Sequence, residues 1–184
     1  MTTEVPVTSP AIALRDGRAV AIRALAASDN SALQAFGQAL PDDEWLYLQH
    51  DLRNHESVNR LVGARDAEHW RQIVGVDAEG QVAAYGAVQL LPGRSSHVAD
   101  IQMIVGGNWR RSGLGTALAH RLVYEARALG ATKVIVDMVD TQDAGRSIFE
   151  RLGFREEGRL ISHARGRDGN WYNLLVLALV VEYE

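Results

Sequence analysis

The sequence predicts an α+β domain: a central mixed, mostly antiparallel sheet of about seven strands flanked by helices. Three observations carry this. Two pairs of apolar runs surround Asp16-Gly17 and Asp77-Ala78-Glu79-Gly80, as in β-hairpins. A strand at 97–105, a helix and a strand at 133–139 follow one another, and a helical crossover of that length makes the two strands parallel. Two further strand candidates, 154–163 and 171–181, close the chain.

The elements follow in order. Residues 1–10 hold Pro6 and Pro10 among Thr and Ser and are expected to form a loose tail, with a single domain over 11–184. "AIALRDGRAVAIRAL" reads as strand, turn, strand, because Asp16-Gly17 suits the positive φ angles of a tight turn. Ser28 and Asp29 offer N-caps to a helix that carries Leu33, Phe36 and Leu40 on one side and is stopped by Pro41. A second helix is expected to start in "PDDEW" and run past Leu52, whereas the polar segment from His50 to Trp70 supports no assignment. "RQIVGVDAEGQVAAYGAVQLL" is a hairpin with a longer loop, and "HVADIQMIV" is a strand. Leu114, Leu118, Leu122, Ala126 and Leu129 recur at helical spacing, with Gly130 placed as a left-handed C-cap. "KVIVDMV" is a strand, and "DAGRSIFERL" is a short helix ended by Gly153.

Composition narrows the function classes. At 184 residues the chain suits one domain burying roughly 70% of its unfolded surface. A formal charge of −4 disfavours a nucleic-acid backbone as partner. With no cysteine, disulfides, thiolate ligands and a covalent cysteine intermediate are out. His50 and His55 lack the i,i+4 spacing of a helical zinc pair, so no metal is expected. The amino terminus lacks a basic segment followed by an apolar one, so a cytoplasmic protein is expected. "LLVLALVV", at 174–181, is too short to span a bilayer; it reads as a buried strand, able to join a shared sheet in a homodimer, and no membrane partner is expected.

The stretch "WRRSGLGTALAHRL" sets Arg110, Arg111, Ser112, Gly113, Leu114, Gly115 and Thr116 between a strand and a helix. N–H groups without intrahelical partners cluster there beside the positive helix end, and glycines let an anion approach them. The pattern fits either a phosphate cradle or an ordinary helix start. A P-loop is absent, and Leu118 occupies the third glycine position of a dinucleotide fingerprint, which leaves a nucleotide-binding oxidoreductase without support.

"VGGNWRRSGLGTAL" and "SIFERLGF" together resemble the GNAT superfamily of acetyl-CoA-dependent N-acetyltransferases, with Arg110, Gly113 and Gly115 on the positions of its Arg-x-x-Gly-x-Gly pattern. The likeness in element order covers roughly residues 11–181. It implies the GNAT fold, with strands 97–105 and 133–139 as a parallel pair splayed at the cofactor site. It implies acetyl-CoA as co-substrate, its diphosphate held by Arg110 to Thr116 and its pantetheine arm paired with the strand edge at Met103, Ile104 and Val105. One of those N–H groups would also stabilise the oxyanion formed on the thioester carbonyl. The implied acceptor is a primary amine, either a small amino compound or a protein lysine or N-terminus, attacking directly in a ternary complex. Family acceptor sites correspond here to residues 28–62 and 163–171.

An amine must lose a proton to attack. Family members often use a carboxylate in this region, which makes Asp100 the candidate base, against a plain solvated position beside Gln102; His97 and His120 are lesser candidates. The sequence departs from the family at Phe149, where a tyrosine often protonates the leaving thiolate. Tyr85, Tyr124, Ser147 or water could serve instead, or the protein is a noncatalytic acyl-CoA-binding sensor or interaction module. Gln142 and Gly145 replace the family's usual Asn and Ala at the start of this helix.

Overall fold

A computed structural model describes residues 9–181, apart from the side chain of Trp45. Most of the expected 1–10 tail therefore lies outside the described residues. Eight strands form one sheet: β1 (Ala11–Ala13), β2 (Ala19–Ala24), β3 (Trp70–Val76), β4 (Val82–Leu90), β5 (Val98–Val105), β6 (Lys133–Val139), β7 (Arg155–Arg165) and β8 (Trp171–Val180). Their order is β1-β2-β3-β4-β5-β6-β8-β7, and among the described pairings only β5 with β6 is parallel. Four helices accompany the sheet: α1 (Asn30–Ala39), α2 (His55–Gly63), α3 (Leu114–Ala128) and α4 (Asp143–Arg151).

Strand alternation divides the core. Ala99 and Ile101 of β5 join Leu114, Leu118 and Leu122 of α3 and Phe149 of α4 on one face. Ile104 joins Leu33 and Phe36 of α1 and Val58, Leu61 and Val62 of α2 on the other. The 15-residue helix α3 is the crossover between β5 and β6, as its apolar spacing predicts.

Three local expectations change. Asp29 does not cap α1 through its side chain; a 3-10 turn, Ala27–Asp29, comes first. The Asp29 carboxylate instead accepts the Ala26 N–H at 2.8 Å and is gripped by Arg23 at 2.7 and 2.8 Å. The helix expected from "PDDEW" past Leu52 is only a 3-10 segment, Asp42–Tyr47, ending at an extended Leu48. Competing bonds explain the break. The Gln49 N–H goes to the Gln102 side chain at 3.0 Å, and Arg53 binds the Leu40 carbonyl at 2.7 Å, so this segment is held by β5 and by α1's end rather than by itself. The unassigned stretch contains α2, capped at its start by Asn54, whose Oδ1 accepts the Ser57 N–H at 3.0 Å.

The chain's last apolar run is only partly interior. Leu175, Leu177 and Ala178 of β8 are buried, but Val180 is 66% exposed. β8 lies between β6 and the edge strand β7, which is exposed along most of its length.

Candidate functional site

The β5–β6 ladder runs from Val98↔Lys133 to Ile101↔Val136 and ends there, while β5 continues to pair with β4 as far as Val105↔Ala84. Register then fixes which groups are freed. Val98 accepts from the Leu91 N–H, and the Gly106 N–H donates to Ala83, both at 2.9 Å. Antiparallel ladders alternate, so the even-numbered residues of β5 bond β4 and the odd-numbered ones face β6. Beyond Ile101 this leaves the N–H and C=O groups of Met103 and Val105 directed into a wedge with no strand opposite. Across it, the Val139 N–H is taken by Gln142 Oε1 at 2.9 Å.

The wedge opens into a cleft of about 660 Å3. Met103, Ile104 and Val105 form one wall, Thr141 to Gly145 with Ser147, Ile148 and Arg151 form another, and Arg110, Arg111, Gly113, Gly115 and Thr116 close the end. The sequence-predicted cofactor residues are therefore gathered in one place, with two exceptions in how they point. Leu114 is wholly buried in the core beneath α3. Ser112 is also buried; its hydroxyl donates to the Trp109 carbonyl at 2.5 Å and accepts the Leu114 N–H at 3.3 Å, bracing the loop from behind.

Gly113 precedes α3 with φ of 94°, a conformation that a side chain disfavours. A Cβ on Gly115 would come 3.0 Å from Ile148 Cδ1 and narrow the gap between α3 and α4. The first bond of α3 is Ala117 N–H to the Gly113 carbonyl, so the Gly115 and Thr116 amides have no intrahelical acceptor and lie at the positive helix end. An amide row, narrow glycine floor, free strand edge and basic end suit a long ligand with an amide-bearing arm and a phosphorylated end. Arg110 is not free: it pairs with Glu44 of the 3-10 segment, a carboxylate only 4% exposed whose Oε2 is buried without a partner.

Asp100 lies on the opposite face of β5 from α3, on the side of Ile104. Its Oδ2 accepts from Gln49 Nε2 at 2.8 Å, while Oδ1 is buried with no partner. Burial pushes its pKa up to about 6; the Gln49 bond opposes this and the charge of Asp137 on β6 adds to it. Burial also raises Asp137, against the charge of His163. His97 and His120 are both exposed, at the start of β5 and on α3.

Phe149 is buried edge-on against Phe154, with centroids 5.2 Å apart. Of the possible replacements for the missing tyrosine, Tyr85 is buried in the α1/α2 core and donates to Gln72 Oε1 at 2.9 Å, and Tyr124 is 65% exposed. Ser147 lines the cleft, its hydroxyl bonded to the Asp143 carbonyl at 2.9 Å. Sequence reading passed over Tyr47, which also lines the cleft. Burial and the charges of Asp43 and Glu44 hold its hydroxyl above the usual phenol range, against the pull of Arg110. Its only sequence signal is a tyrosine next to an acidic run in a segment expected to be regular helix. The two expected acceptor segments also meet, through Arg167 Nη2 and Asp51 Oδ2 at 3.0 Å.

Among the described residues no group of three or more His, Asp or Glu side chains is placed to hold a metal ion, and no helix is long and apolar enough to cross a membrane.

Comparison with known proteins gives the family and the fold. The model of the acetyltransferase (GNAT) family matches residues 31–154. No curated protein sequence matches the chain. Among solved structures, the GNAT domain of S. lividans PAT superposes with a TM-score of 0.78 at 16% identity, covering 97% of this chain and 100% of that one. An N-acetyltransferase from Staphylococcus aureus Mu50 gives 0.77 at 17% identity, covering 89% and 99%. A Salmonella typhimurium structure containing acetyl-CoA as its cofactor gives 0.74 at 17%, covering 90% and 95%.

Proposed function

The chain belongs to the GNAT acetyltransferase family, and from that premise we propose that it moves an acetyl group from acetyl-CoA to a primary amine by direct attack in a ternary complex. The observation that carries this is the freed edge of β5. Met103 and Val105 offer amides to the cleft, while Asp100, on the same strand, faces the other side. Donor and acceptor can then approach one strand from opposite faces.

Acetyl-CoA supplies the activated thioester. The Gly115 and Thr116 amides and Arg111 hold its phosphates, and the Met103 and Val105 amides hold its arm and polarise the carbonyl. Asp100 accepts the proton from the attacking ammonium, which arrives between the 42–53 segment and the 163–171 loop. The amine nitrogen bonds the carbonyl carbon, the carbon–sulfur bond breaks, Tyr47 gives its proton to the thiolate, and the second proton shed by the nitrogen restores the Tyr47 hydroxyl. No enzyme nucleophile is required, in keeping with a chain that has no cysteine. The compartment we propose is the cytoplasm.

The buried, hydroxyl-free Phe149 favours one other reading, an acyl-CoA-binding module without turnover. A thiol-release screen with acetyl-CoA against amino acids, polyamines, aminoglycosides and lysine peptides separates the two. Steady release of free CoA with one amine supports the enzyme, and silence across the panel with tight CoA binding supports the module.

A further inference from the structure

The hairpin turn between β1 and β2 is fastened to the cradle at three points. The Arg15 N–H donates to the Ser112 carbonyl at 3.0 Å. Arg18 stacks over the Trp109 ring at 3.9 Å, and its Nη2 donates to the Asn108 carbonyl at 2.8 Å. This anchoring delivers the Arg15 side chain to the cradle, within 3.6–3.8 Å of where a Gly113 Cβ would stand.

Arg15 faces two cavities. It lines the main cleft together with Arg111 and Arg151, and among the described residues none of these three guanidinium groups has an acceptor. It also lines a neighbouring pocket of about 300 Å3 between β1 and α3, whose walls include Ile12, Leu14, Ala117 and His120. Unpaired cations converging on one cleft of a net-acidic chain call for a ligand with more than one anionic group. In the acetyl-CoA reading the helix-end amides and Arg111 take the diphosphate. Arg15 stands to the side of them, at the entrance to a pocket that suits a nucleoside.

We propose that Arg15 recognises a third phosphate, the 3′-phosphate on the ribose of coenzyme A, and so makes this chain discriminate coenzyme A from its 3′-dephospho form. The inference rests on the acetyl-CoA reading above. Arg15 precedes the stretch 31–154 that carries the family pattern, so the pattern does not assign it a role. Its guanidinium is exposed, which screens the contact and sets the expected discrimination at about tenfold rather than a hundredfold.

Calorimetric titration of the full chain with CoA and with 3′-dephospho-CoA tests this without reliance on turnover. The wild type should bind CoA about tenfold more tightly. In Arg15→Ala the CoA affinity should fall to that of dephospho-CoA, which itself stays unchanged, and Arg15→Lys should recover part of the difference. The main-chain bond to Ser112 does not involve the substituted side chain, so the hairpin keeps its anchor. Equal wild-type affinities, or a loss in Arg15→Ala shared by both ligands, would overturn the assignment and leave the acetyl-CoA reading standing. Failure of both ligands to bind would overturn the two together.

Discussion

Arg110 and Glu44, from the cradle and the 3-10 segment, form an ion pair in which the carboxylate is 4% exposed and the guanidinium side chain 48% exposed. The arginine that the family pattern assigns to the cofactor end is thus also the partner of a buried acid. Removing it strands that acid, a loss worth about 1–3 kcal/mol. Arg110→Ala should therefore lower the melting temperature by roughly 3–9 °C for a chain of this size, measured calorimetrically without ligand. Glu44→Gln keeps a hydrogen-bonding group, should melt within about 2 °C of wild type, and should not weaken CoA binding, because Arg110 is released. A melting temperature unchanged in Arg110→Ala would contradict the pairing.

Asp100 should couple activity to pH. With its carboxyl raised to about 6, the base is ionised only above that value, so kcat/KM should rise through pH 6 and level off. Asp100→Asn should cut kcat on the order of a hundredfold and remove that acidic limb. Stability should move the other way. An unfolded Asp ionises near pH ~3.9, so between about 4 and 6 the folded chain holds a proton the unfolded chain has lost, and stability falls as pH rises through that window. Above it the full penalty of a buried charge remains. Asp100→Asn should thus melt a few degrees higher than wild type at pH 8 and lose that advantage at pH 4.

The cradle depends on backbone more than on charge. Gly113→Val forces a β-branched residue to φ near 94°, which displaces the loop and its amides. Titration should show at least a tenfold loss of CoA affinity, against a few-fold loss for the exposed Arg111→Ala. The reverse order would mean that side-chain charge holds the phosphates.

The contrast between these positions explains what was legible in the sequence. Hairpins at Asp16-Gly17 and Asp77–Gly80, the crossover helix and the cradle are local, each written in turn chemistry or apolar period within about 20 residues. The 42–53 segment departs from the expected helix because Gln102, a partner distant in sequence, takes the Gln49 N–H and because Arg53 reaches back to the Leu40 carbonyl, a side-chain bond that helical propensity does not reveal. Arg15 and Tyr47 were passed over for the same reason: the sheet order brings β1 and the 3-10 segment to the cleft. Asp100 was readable as a polar residue on a strand, but its burial and its bond to Gln49, distant in sequence, were not.

Tyr47 and Phe149 provide the last test. If Tyr47 returns the proton to the departing thiolate, Tyr47→Phe should lower kcat by roughly 10–100-fold and shift KM for acetyl-CoA little, because the ring that lines the cleft is kept. Restoring the family's tyrosine by Phe149→Tyr should fail as a gain of function. Phe149 is 2% exposed and packed on Phe154, so an added hydroxyl enters an apolar core and costs about 1–3 kcal/mol unless it finds a partner. The double variant Tyr47→Phe/Phe149→Tyr then decides the geometry. It should be as slow as Tyr47→Phe and less stable; recovery of wild-type kcat would show that the position of Phe149 reaches the thiolate after all, and would remove Tyr47 from the mechanism.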